Sequence, residues 1–207
     1  MFFAFTEAFT LKELDVRRLL YRTEIKKVLG ENPNSRVVDE LELLRGVVRV
    51  DVAVISDTLH GYEIKSASDN LIRLPNQQEH YRKVFEKMTL VADEKHVEHA
   101  VKIVPDCWGL ISVGMKDGKP FANEIWPARR SYELDPLAMA QLLWREEALE
   151  LMQYFDLNYG YASKPRKVLW QVLANNLTVE QLKAFVCFKL KTRKGWKKKK
   201  RCRIVIK

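Results

Sequence analysis

The sequence predicts an α/β fold: a mixed central sheet flanked by helices, with a C-terminal helical extension. Three observations point there. Apolar, β-branched runs at residues 47–55, 88–92 and 108–115 read as buried strands. Segments of helical periodicity alternate with them. Beyond Trp126 the strand pattern stops, and only helical stretches follow. The chain divides accordingly into an α/β core over residues 1–130, a helical module over 131–193 and a basic tail over 194–207.

In chain order, Thr10-Leu-Lys-Glu13 has the form of a capping box. It opens a helix whose apolar positions run from Leu11 to Leu29, with Gly30 placed to end it. A turn at 31–35 leads into a short amphipathic segment, 36–44, read as a helix bearing Asp39, Glu40 and Glu42. The strand 47–55, the turn Ser56-Asp57-Thr58 and the strand 59–66 form a hairpin. A helix over 69–87 follows, with Pro75 in a first-turn position. Then come a strand at 88–92, a helix at 93–103 and a hairpin of strands 108–115 and 121–126 about Asp117-Gly118. Asp135-Pro136 starts a helix to about residue 154. Two more helices span 165–174 and 178–191, the second opened by Thr178-x-x-Gln181.

Of 207 residues, 47% are hydrophobic, enough for a sizeable core. The formal charge of +9 is local. Residues 189–207 carry 11 Lys/Arg and no acid, so the preceding chain is close to neutral. That basic end, with Lys197, Lys198, Lys199, Lys200 and Arg201, is an electrostatic handle for a polyanion such as nucleic acid; a solubilising terminus is the bland alternative. Three scattered cysteines without a C-x-x-C fit a reducing cytoplasm rather than a disulfide framework or zinc site. The start of the chain does not resemble a signal peptide, and no apolar run is long enough for a membrane span.

The hairpin carries the chemistry. Side chains alternate faces along a strand, so Arg49, Asp51 and Ala53 share one side and Gly61, Glu63 and Lys65 another. If those sides coincide, two carboxylates and an ammonium converge on an otherwise apolar strand pair. Such a placement is expensive without a purpose. Asp, a spacer and Glu-x-Lys is the pattern of metal-dependent phosphodiester cleavage. Carboxylates on adjacent strands hold Mg²⁺ or Mn²⁺, and a lysine beside them activates water or stabilises the phosphate. The bare pattern also arises by chance, and a solvated strand face with a weak Glu63–Lys65 contact is the competing reading.

Other residues point elsewhere less strongly. His96 and His99 read as a solvated helix face, His60 as a rim residue, and Cys107 and Cys187 as packing groups. Trp144 and Trp170 read as core. The helices about Asn175-Asn176 have helix-turn-helix spacing, though an ordinary αα-hairpin is the commoner use. No G-x-G-x-x-G or P-loop is present.

Longer stretches carry a resemblance. Asp39-Glu-Leu, Gly46, Arg49-Val-Asp-Val-Ala-Val54, Leu59-His-Gly-Tyr-Glu-Ile-Lys-Ser66, Asp69, Arg73-Leu74, Gln77, Tyr81 and Val84-Phe85 resemble a small bacterial and phage group, the "sce-type" proteins of the PD-(D/E)XK nuclease superfamily. Thr89-Leu-Val91, Ile103-Val-Pro105, Trp108-Gly109 and Leu142-Leu-Trp-Arg145 fit it too, so the resemblance covers roughly residues 10–193. It implies a restriction-endonuclease-like fold and a Mg²⁺- or Mn²⁺-dependent nuclease acting on DNA, in DNA repair or phage defence, with RNA left open as a target. The rival is a catalytically silent module that binds nucleic acid or a protein partner, itself included as a homodimer. By the same resemblance Asp51, Glu63, Lys65 and Gln77 are the catalytic set. Glu40, supplied by a helix ahead of the first core strand and with Asp39 and Glu42 as alternatives, Asp51, Glu63 and the Ile64 carbonyl hold the metal. Arg49, Ser66, Arg73 and Tyr81 contact nucleic acid; the five basic tail residues, outside the resemblance, are assigned the same role by their charge alone. Ala67 and Cys107 depart from the pattern, which usually has an acid and an aromatic there.

Overall fold

A computed structural model describes residues 10–194. Its centre is a six-stranded mixed sheet in sequential order: β1 (Arg36–Leu43), β2 (Val48–Ile55), β3 (Leu59–Lys65), β4 (Lys87–Asp93), β5 (Gly109–Lys116) and β6 (Lys119–Trp126). The strands β1–β2–β3 and β5–β6 are antiparallel, while β3–β4–β5 run parallel. Parallel neighbours need crossovers, and α3 (Leu74–Tyr81) and α4 (Glu94–Val101) supply them.

Helices cover both faces. On one, α1 (Glu13–Leu20), a π-helical turn (Tyr21–Ile25) and α2 (Lys26–Glu31) bury Val16, Leu20, Tyr21 and Ile25 against Val52, Val54, Tyr62 and Ile64. On the other, α3, α5 (Pro136–Ala140), α6 (Arg145–Tyr154), α7 (Arg166–Asn176) and α8 (Val179–Thr192) share a single apolar cluster with Ala53, Ile55, Leu59, Leu90 and Leu110. Gly61 permits the close approach of β3 to the chain entering β4: a Cβ there would lie 2.4 Å from Met88 Sδ.

Several local expectations change. In place of the helix expected over 36–44, residues 36–43 form a strand, because its apolar residues pair with β2 in register, Val38 with Ala53 and Leu41 with Val50. Tertiary pairing outweighs a weak helical periodicity. The first helix is capped at Lys12 without a side-chain hydrogen bond, so the Thr10 capping box does not form, and Gly30 lies within α2 rather than after it. The helix over 69–87 contracts to α3, with Pro75 in its first turn as expected. The long helix after Asp135 breaks between α5 and α6. Asp135 does cap it, accepting from Ala138 N–H at 2.7 Å, and Thr178 and Gln181 form their capping box at α8. Trp144 is not core: it is 41% exposed, under the Arg193 guanidinium. Trp170 is buried, and α7 and α8 pack on α5 as an αα-hairpin.

His60 lies within β3, not at a rim. It stacks on Tyr62, with ring centroids 4.2 Å apart, and its Nε2 is 2.8 Å from Thr89 Oγ1. Burial first, then the Lys87 charge, pulls its imidazole down to about 3. An unfolded histidine titrates near 6.5, so below that pH the unfolded chain binds the extra proton. Stability therefore falls as pH drops from about 6.5 toward 3. Because the ring keeps partial solvent contact, we expect a loss of about 2 kcal/mol between roughly pH 7 and pH 4.5. Urea denaturation of His60→Gln at both pH values should show a smaller loss; parallel pH dependence in both proteins would contradict it.

Candidate active site

The hairpin register brings the expected faces together. Ala53 lies opposite Gly61 and Val52 opposite Tyr62, so Asp51 falls on the same side as Glu63 and Lys65. Glu63 and Lys65 occupy the C-terminal half of β3, paired in parallel with Leu90 and Ala92 of β4 just ahead of the crossover. Ligand crevices of open α/β sheets form at such strand ends.

Glu63 and Lys65 are 3% and 5% exposed. Lys65 Nζ donates to Glu63 Oε1 at 2.7 Å and to Gln77 Oε1 at 3.2 Å. Gln77 Nε2 donates to Glu63 Oε1 at 2.7 Å, and the Tyr81 hydroxyl to Glu63 Oε2, also at 2.7 Å. Gln77 and Tyr81 sit one turn apart on α3, so a single helical face holds the carboxylate from above. Burial, then Glu63, pushes the Tyr81 phenol far above its ordinary range, so it stays a neutral donor. Gln77 meets the lysine as the resemblance implies. Tyr81 is fully buried and Ser66 turns inward to Asp69, its hydroxyl donating to Oδ2 at 2.6 Å; neither side chain is available to a nucleic acid. Arg73 is exposed at the start of α3.

Asp51, beside that cluster, takes its hydrogen bonds from other residues. Its Oδ2 accepts from Ile64 N–H at 2.8 Å, which pins the carboxylate to β3. So Ile64 meets Asp51 through its amide. Burial, then the charge of Glu63, pushes the Asp51 carboxyl up to about 7, against the Ile64 amide and Arg17, which favour the anion.

Glu40 reaches the site from β1 rather than from a helix. It is the one residue of β1 with a left-handed backbone, φ 56°, a conformation that costs a non-glycine residue about 1 kcal/mol or more. Strand pairing passes from Asp39–Val52 to Leu41–Val50 across it, and both Val38 and Leu41 face the same core. The irregularity lifts Glu40 out of the sheet's alternation and leaves its carboxylate over Asp51.

What gathers these acids is Arg17 of α1, which sequence reasoning did not single out. Its Nη2 donates to Glu40 Oε1 at 2.7 Å, Glu13 Oε1 at 3.1 Å and Asp51 Oδ1 at 3.3 Å. Its Nη1 donates to the Asp51 carbonyl at 2.8 Å and Asp39 Oδ1 at 3.2 Å. Burial alone would lower its pKa, but the surrounding acids raise it further. Arg49 closes the other side of Glu40, Nε to Oε2 at 2.5 Å, and Tyr21 donates to Asp39 at 2.7 Å. The one sequence hint was Glu13–Arg17 at i,i+4, beside the buried positions Val16 and Leu20.

Ala67 is buried just past β3, its carbonyl accepting from Lys95; Cys107 is partly buried and Cys187 buried, both free thiols. His96 Nε2 lies 3.1 Å from the Ser66 carbonyl, so that histidine is tied to the β3 exit rather than wholly solvated. Lys197, Lys198, Lys199, Lys200 and Arg201 lie outside the described residues. Among the described residues no helix is long and apolar enough to cross a membrane.

No solved structure matches the chain. Protein cII of Enterobacteria phage P4 is 24% identical over 183 residues, covering 88% of this chain and 68% of that protein. A family model described as Bacteriophage P4 protein cII matches residues 7–204. With the model running over nearly its whole length, the chain belongs to the bacteriophage P4 protein cII family.

Proposed function

We propose that the protein is a metal-dependent nuclease hydrolysing phosphodiester bonds in DNA, on a restriction-endonuclease-like core similar to the "sce-type" group of the PD-(D/E)XK superfamily. The observation that carries the reading is the placement of Asp51, Glu63 and Lys65 on one side of adjacent strands, with Lys65 Nζ 2.7 Å from Glu63 and Asp51 Oδ2 held 2.8 Å from the amide of Ile64 between them. Buried charge of this kind is costly unless paired or functional.

The donor set fits a hard divalent cation. Glu13, Glu40 and Asp51 offer carboxylate oxygens within 4.8 Å of one another. Glu40 and Asp51 would hold Mg²⁺ or Mn²⁺, with Glu63 and the Ile64 carbonyl as the remaining proposed donors. Bound there, the cation would supply neutralisation of the charge that builds on the scissile phosphate. Lys65 Nζ holds the proton position beside Glu63 from which it either stabilises the phosphate oxygens or takes a proton from the attacking water. Gln77 fixes Lys65 and Glu63 relative to each other, and Tyr81 fixes the far oxygen of Glu63. Arg49 and Arg73 on the accessible side, and the basic tail, provide phosphate contacts that make binding salt-dependent.

The test is cleavage of supercoiled, linear and single-stranded DNA, and of RNA, with Mg²⁺ or Mn²⁺, comparing wild type with folded Lys65→Ala. We expect the variant to lose about 10²–10⁴-fold in rate while retaining binding. Equal cleavage by both proteins would remove Lys65 from the chemistry. A specific observation favours a second reading: Arg17 already neutralises the acids, as in a scaffold that binds nucleic acid or a partner without cutting. Binding without cleavage by wild type, in every metal and on every substrate, would establish that reading instead.

A further inference from the structure

Arg17 is 6% exposed, yet its guanidinium meets four carboxylates and the Asp51 carbonyl. Three of those acids, Glu13, Glu40 and Asp51, form the all-oxygen set suited to a divalent cation. The same oxygens therefore face a fixed positive charge contributed by the chain itself. A guanidinium spreads its charge over a planar fork and satisfies several acceptors at once. A small divalent ion demands direct oxygen contacts at roughly 2.0–2.6 Å. The two cannot both be coordinated by Glu40 Oε1 and Asp51 Oδ1. Arg49, on the opposite oxygen of Glu40 and about half exposed, need not move.

We infer that Arg17 is a built-in cation of the acidic site, displaced when a divalent ion binds, so that it sets the divalent-ion concentration the site requires. Its place on α1 makes the first helix the element that responds to occupancy. The inference rests on the nuclease reading only in placing a divalent ion at Glu40 and Asp51.

The experiment is calorimetric titration of the full chain with Mg²⁺ and Mn²⁺ at ionic strength held constant with KCl, together with thermal melting in chelator and in metal, for wild type and Arg17→Met. Loss of the guanidinium leaves three mutually repelling carboxylates. The variant should bind divalent ions about tenfold or more tightly, melt lower than wild type in chelator, and gain more on metal addition. A role as a plain staple for α1 predicts the opposite: lower melting that metal does not recover, with affinity unchanged or weaker. That result overturns the inference. If Arg17→Met does not fold, Arg17→Lys, which keeps charge but loses the fork, should tighten binding about threefold, and unchanged affinity there overturns it equally. Binding by Arg17→Met beside none by wild type upholds the inference while counting against the nuclease reading. Equal binding by both leaves that reading standing and removes this one, and no binding by either removes both.

Discussion

Replacing Glu63 with alanine should destabilise the protein by about 3–5 kcal/mol, among the largest single-site effects in the chain. The reason is the environment left behind. Lys65 is buried beside Glu63, and without the carboxylate its ammonium keeps only Gln77 Oε1 at 3.2 Å. The Gln77 amide loses its acceptor at 2.7 Å and keeps only the Tyr81 hydroxyl at 3.3 Å, while that hydroxyl is left to donate to the Arg49 carbonyl at 2.9 Å. An uncompensated charge, rather than the lost attraction, dominates the cost. Glu63→Gln keeps an acceptor toward Lys65 but not the countercharge, and should lose only somewhat less, about 2–4 kcal/mol. The double variant Glu63→Met/Lys65→Met removes both charges and should recover most of the stability while abolishing any cleavage. Urea denaturation with unchanged slope measures all three. A loss below about 1 kcal/mol for Glu63→Ala would mean that the pair is hydrated and that its burial does not matter. Stability recovered while activity disappears would show that the charges are kept for chemistry rather than for folding.

Arg193→Ala should cost a comparable amount, about 3–5 kcal/mol, at the opposite end of the molecule. Arg193 follows α8 and is buried. Its Nε donates to Glu147 Oε1 at 2.8 Å, its Nη2 to the Leu142 carbonyl at 2.9 Å, and its guanidinium lies 4.3 Å from the Trp144 ring centre. Glu147 meanwhile accepts from Trp144 N–H at 2.7 Å, which caps α6. Removing Arg193 leaves Glu147 buried and the loop between α5 and α6 without its tie to α8. Arg36 on β1 donates to the Arg193 carbonyl at 2.6 Å, so the same residue links the helices to the sheet edge. Arg193→Lys keeps the charge but neither the fork nor the stacking, and should recover less than half of the loss. Denaturation of Arg193→Ala, Glu147→Ala and the double variant forms a double-mutant cycle. A coupling near zero would contradict the buried pair.

The residues that defined the hairpin explain how far sequence reasoning reached. From residue 47 to residue 66 each indicator is local: β-branched alternation, a Ser-Asp-Thr turn, and a period of two that fixes which side chains share a face. The same holds for Pro75, Asp135 and the Thr178–Gln181 box, whose physics is complete within four residues. The helix expected over 36–44 is a strand instead because its apolar spacing suits either period, and only its partner β2 decides. Trp144 shows the reverse failure. A large aromatic beside Leu142 and Leu143 suggests core, yet the break between α5 and α6 turns it outward beneath Arg193.

Sequence by itself determined the α/β class, the strand-turn-strand unit, and which side chains share a face within each strand, because short-range geometry dictates them; the register of the hairpin then put Asp51 on the side of Glu63 and Lys65. Tertiary structure alone decided that Glu40 arrives from a kinked edge strand, that Tyr81 buries its hydroxyl on Glu63, and that Arg17 lies among four acids. Apart from Glu13–Arg17, those contacts join residues 18 to 34 positions apart. Their energy comes from enclosing charge where little water remains, a property no single segment possesses until the sheet and helices close around it.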